Sequence, residues 1–191
     1  MKILLISATA LLTASELFFG TIQSAAAATL SWDWNYTGSG IAANGTFSTN
    51  DTPDSSGFYL ITGITGTRNG ATITGLQPTG TPIPGNEPFN VDNLISLNPQ
   101  QLTGDGFGYS TAGGSFVSPF YASFLATPGY LEVFSEPPIV SGFQNLRPGS
   151  ELPVSFSAQI TSVPEPLTLI GSFVGASMGV CLSKKLKQSS K

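Results

Sequence analysis

The chain has 191 residues, no histidine, and one cysteine, Cys181. Histidine acid–base chemistry, histidine metal sites, Ser-His-Asp and Cys-His nucleophiles and disulfide scaffolds are therefore excluded. Carboxylates are what remains. Two carboxyls about 5–10 Å apart can hydrolyse glycosides, one as acid and the other as base or nucleophile. Asp33, Asp105, Glu132 and Glu136 are the residues such a pair would draw on. Nothing in their spacing marks a pair, and an isolated carboxylate is ordinarily a solvated surface charge. Asp105 stands in Gly104-Asp105-Gly106, which reads as a turn. Gly104-x-Gly106-x-Gly108 lacks the βαβ surroundings of a nucleotide fingerprint. The sequence reads as non-catalytic and without a cofactor.

Two further groups bear on binding. Asn50-Asp51-Thr52-Pro53-Asp54 offers oxygen ligands of the kind calcium takes, but its spacing is not that of an EF-hand. It reads as an Asx-rich turn capped by its own side chains. Trp32, Trp34 and Tyr36 fall on one face of an alternating segment. Exposed, they would form a flat platform for stacking sugar rings, the basis of an alternative function as a carbohydrate-binding module. Buried, they are core, as aromatics on an alternating strand usually are, and that is the reading taken.

The elements that position these residues are β throughout. Residues 30–36 alternate strictly between large apolar and polar side chains. Residues 41–49 suit a second strand or a hairpin around Asn44-Gly45, and residues 58–67 and 71–76 flank Arg68-Asn69-Gly70, a strong hairpin signal. Residues 77–90 hold Pro78, Pro82, Pro84 and Pro88 among glycines, the mark of a long surface loop. Residues 91–97 suit a strand or a short helical turn. Further strands are expected near 107–110, 115–116, 120–125, 130–134 and 154–160. Short strands with turn signals every 8–12 residues predict an all-β domain. The expected architecture is a single β-sandwich of jelly-roll type, with a flattened barrel as the other arrangement.

Charge sets further limits. Residues 29–162 contain two arginines, Arg68 and Arg147, no lysine and nine carboxylates, a formal charge of −7. Such a body cannot bind nucleic acid by releasing counterions, nor adsorb to anionic lipid.

The ends have another character. Met1-Lys2, an apolar run over residues 3–12 and Ser24-Ala25-Ala26-Ala27-Ala28 have the layout of a secretory signal peptide cleaved after Ala28. At the other end, Pro164-Glu165-Pro166 precedes an uncharged apolar segment of 16 residues, 167–182. As a helix it is about 24 Å long, and flanking residues and snorkelling lysines extend it toward a bilayer span. Lys184, Lys185 and Lys187 follow, so the tail is expected to stay cytoplasmic and the body outside. Cys181 reads as a small apolar residue of that span. The expected organisation is a signal peptide (1–28), a secreted β domain (29–162) and a C-terminal sorting segment with one transmembrane helix (163–191).

Pro164-Glu165-Pro166, the apolar span and the lysine tail, in that order, resemble the PEP-CTERM sorting signal. The resemblance implies processing by an exosortase, a membrane enzyme of exopolysaccharide-producing bacteria. Membrane anchorage would come first, then placement at the cell surface or in the extracellular matrix. Within the body, Trp32-Asp33-Trp34-Asn35-Tyr36, Gly45-Thr46-Phe47, residues 57–66 and Val91-Asp92-Asn93-Leu94 resemble small cyanobacterial members of the same family. That likeness implies an address and a fold, and no activity. The expectation is an exported, non-catalytic surface or matrix protein of a biofilm, with exosortase as processing partner and exopolysaccharide as a candidate contact.

Overall fold

The structure is a computed structural model that describes residues 29–142 and 151–162. The signal peptide, the sorting motif with its span and lysines, Arg147 and Cys181 lie outside the described residues. Nine strands follow in order: β1 (Thr29–Gly38), β2 (Ile41–Asn50), β3 (Phe58–Arg68), β4 (Ala71–Leu76), β5 (Leu94–Ser96), β6 (Tyr109–Thr111), β7 (Phe116–Ala122), β8 (Gly129–Ser135) and β9 (Leu152–Ser162). No helix among the described residues is long and apolar enough to cross a membrane.

The expected sandwich is not found. All strands but β5 form one closed eight-stranded antiparallel barrel. Each pairs with its neighbour in the chain, and β9 returns to pair with β1 from Gly38↔Val154 to Trp32↔Ile160. The pairing of β2 with β3 completes the ring. Alternation specifies which side chains face inward, and a sandwich and a barrel need the same alternation. Closure is decided by the curl of the strands, which leaves no free edge. Part of that curl comes from Gly45 and Gly66, opposite one another on β2 and β3. A Cβ at Gly45 would stand 1.9 Å from the Thr65 carbonyl oxygen, and Gly66 has φ of +141°. Only glycine lets two backbones approach so closely there.

Eight strands leave an interior just wide enough for side chains. Leu30, Trp32, Trp34 and Tyr36 of β1 fill it with Phe47, Phe107, Tyr109, Val117 and Phe156. Trp34 stacks on Phe47 at 5.2 Å, and Phe107 meets Phe47 edge-on at 4.9 Å. The Trp32 indole N–H donates to Thr49 Oγ1 at 2.9 Å. Such packing contributes about 0.5–1.5 kcal/mol per aromatic pair beyond simple burial.

The sequence suggests a break between residues 116 and 120, yet β7 runs straight through Pro119. The Pro119 carbonyl accepts from Phe107 N–H on the side away from β8. A strand residue's N–H and C=O point the same way, so the missing proline N–H costs the β7–β8 ladder nothing.

The other departure concerns residues 77–93. This segment does not hang free; it folds over the outer wall of β7 and β8. Ile83 and Val91 bury there against Val133, with Phe116 and Phe120 alongside. Asn93 holds it down, its Nδ2 donating to the Gln77 carbonyl at 2.7 Å and its Oδ1 accepting from Gly108 N–H at 3.2 Å. Asp92 Oδ2 accepts from Thr103 Oγ1 at 2.6 Å. Burial pushes the Asp92 carboxyl above its usual range, opposed by that hydrogen bond. Val91-Asp92-Asn93 is thus a clip, and β5 begins only at Leu94, pairing with Phe58–Leu60 of β3.

Candidate functional site

Two places concentrate chemically capable side chains. One is inside the barrel, the other on its outer wall.

Inside, β3 delivers Arg68 and β8 delivers Glu132 to the same point. Arg68 Nε donates to Glu132 Oε2 at 2.9 Å and its NH2 to Oε1 at 2.5 Å, a bidentate pair. Tyr36 OH donates to Glu132 Oε2 at 2.5 Å and also bonds Tyr109 OH. The Arg68 guanidinium lies over the Phe134 ring, 3.8 Å from its centroid. Glu132 is 0% exposed and Arg68 8%. Burial, with the neighbouring Tyr109 and Glu132, holds the Tyr36 phenol well above its usual range. Burial likewise raises Tyr109. Burial works against the Arg68 charge, but its hydrogen bonds and attraction to Glu132 prevail and its pKa rises. The members of the cluster satisfy one another, and its carboxylate is sealed from solvent. It works as an internal clamp between β1, β3, β6 and β8.

Outside, a cavity of about 260 Å³ lies between the 77–93 segment and the β7–β8 wall. Outward-facing Ser118 and Phe120 of β7 and Val133 of β8 form its floor. Asn86 and Asn90 come from the covering segment, Asp105 from the turn before β6, Phe124 from the β7–β8 connection and Glu151 from the residue just before β9. Phe120 and Phe124 stack with centroids 6.5 Å apart. Asn86 is 5% exposed, and its Oδ1 has no hydrogen-bond partner among the described residues.

The structure disperses the carboxylates considered for glycoside hydrolysis. Asp33 is exposed on the outside of β1, Glu136 is exposed beyond β8, Glu132 is sealed in the interior, and Asp105 lines the outer cavity. Trp32, Trp34 and Tyr36 all point into the barrel and are 0–1% exposed. No sugar can stack on them, so glycan contact by those three residues is set aside. In the 50–54 turn the oxygens serve the chain itself. Asp54 Oδ1 accepts from Ser56 and Phe58 N–H at 2.8 and 2.9 Å, and Asn50 Oδ1 accepts from Leu60 N–H at 2.8 Å. Among the described residues no three acidic or cysteine side chains gather as a metal site.

Sequence reasoning missed Asn86, Ser118, Phe120, Phe124 and Glu151. A signal was present: a long proline-rich segment in a compact domain is often a functional one. What the sequence did not show is which wall it covers. No family, curated protein or solved structure matches the chain.

Proposed function

We propose that this chain is a non-catalytic exported protein that acts at the cell surface or in the exopolysaccharide matrix of a biofilm. A signal peptide over residues 1–28 starts its export. An exosortase processes it, and its C-terminal helix holds it in the membrane until then. The observation that carries this reading is the ordered arrangement of Pro164-Glu165-Pro166, the apolar segment and Lys184, Lys185 and Lys187. A lysine-free acidic body supports it, since that body repels nucleic acid and anionic lipid alike. The sealing of Glu132 and the scatter of the other carboxylates favour a scaffold over an enzyme. The reading as a carbohydrate-binding module, deprived of Trp32, Trp34 and Tyr36, falls back on the outer cavity.

The test is to replace Pro164, Glu165 and Pro166 with alanine in the producing cell. The variant should remain at precursor size in the membrane fraction, while the parent is shortened. Equal shortening of both would contradict exosortase sorting.

A further inference from the structure

We propose that the outer-wall cavity binds a single pyranose ring, neutral or carrying an amino group, as a residue of a glycan. The inference deepens the carbohydrate-binding reading and is independent of the route by which the chain is delivered.

Four observations converge. The volume, about 260 Å³, is smaller than the roughly 300–1,000 Å³ of pockets for drug-sized ligands and suits one small ring. The floor and one side are largely apolar, with Phe120 and Phe124 stacked and Phe124 70% exposed. The polar residues that line the cavity offer both donors and acceptors, Asn86, Asn90 and Ser118, and two carboxylates, Asp105 and Glu151. The Asn86 oxygen is buried with no hydrogen-bond partner among the described residues, a state that a ligand donor brought within reach of it would relieve. The complementary ligand therefore has an apolar face and a rim of groups that both donate and accept hydrogen bonds. A pyranose presents C–H groups on its face and hydroxyls around its rim. Two carboxylates in a body of charge −7 admit an ammonium and repel a uronate.

The experiment uses the full chain in a zwitterionic detergent free of sugar. Saturation-transfer NMR is recorded with the methyl glycosides of glucose, galactose and mannose, with glucosamine and with glucuronate. At least one neutral sugar and glucosamine should receive saturation, strongest on ring C–H protons, and glucuronate should receive none. Phe124→Ala should weaken binding at least tenfold with the thermal melt unchanged, because that ring is exposed. Asp105→Asn should remove any preference for glucosamine over the neutral sugars. A folded chain that transfers no saturation to any of these sugars overturns the proposal. So does binding that survives Phe124→Ala, or glucuronate bound as well as the others. Because purified chain is used, failure here leaves the sorting proposal standing, and failure of sorting leaves this one standing.

Discussion

Replacing Arg68 by methionine tests the interior clamp. The substitution keeps an unbranched apolar stem but deletes both hydrogen bonds to Glu132 and the stack on Phe134. It leaves the Glu132 carboxylate at 0% exposure with the Tyr36 hydroxyl as its remaining donor. Removing one partner of a buried ion pair costs about 3–5 kcal/mol, because the other charge stays desolvated. Domains of this size have roughly 5–15 kcal/mol in all, so the loss is a large share. At about 3–4 °C per kcal/mol, the melting temperature should fall by roughly 10–20 °C. Urea melts of the chain, followed by the fluorescence of Trp32 and Trp34, measure the difference directly. The double variant Arg68→Met, Glu132→Leu should recover much of the loss, since no charge is then stranded. A single variant that loses less than about 1 kcal/mol would refute the reasoning, because Glu132 would then have to be reaching water.

Three other outcomes follow from the same packing. Gly45→Ala should destabilise the barrel by about 3 kcal/mol or more, since its Cβ would overlap the Thr65 carbonyl; a melt within about 0.5 kcal/mol of the parent would remove the close β2–β3 approach from the account. The barrel holds the Tyr36 and Tyr109 phenols protonated, whereas in the unfolded chain they ionise near 10, so their contribution is complete below pH 10 and is lost as pH rises beyond it. Stability should therefore fall steeply above pH 10, and less steeply for Tyr109→Phe. Acrylamide should quench the tryptophan fluorescence of the folded chain only weakly, and quenching as strong as in urea would place Trp32 or Trp34 outside the barrel.

Much of the fold was legible because the side-chain period of a strand is local. The run from Leu30 to Tyr36 announced both its strand and its buried face, and Asn69-Gly70 announced the β3–β4 hairpin. Closure was not legible. It depends on β9 meeting β1 about 120 residues apart in the chain, and on the Gly45–Gly66 contact, neither of which alternation encodes. Glu132 illustrates the same limit. As a carboxylate in a short strand it looked solvent-facing, and only the inward register of β8 opposite Pro119 shows that it meets Arg68. The outer cavity is further from sequence still. Its residues come from five separate segments, and their convergence is a property of how the 77–93 segment drapes over β7 and β8.

The most direct test of the functional account is localisation of the chain with and without residues 163–191, expressed in its own cell and read by surface labelling alongside periplasmic and medium fractions. The account predicts surface or matrix display for the parent, and release to the medium or retention in the periplasm for the shortened chain. Equal surface display of both would contradict it.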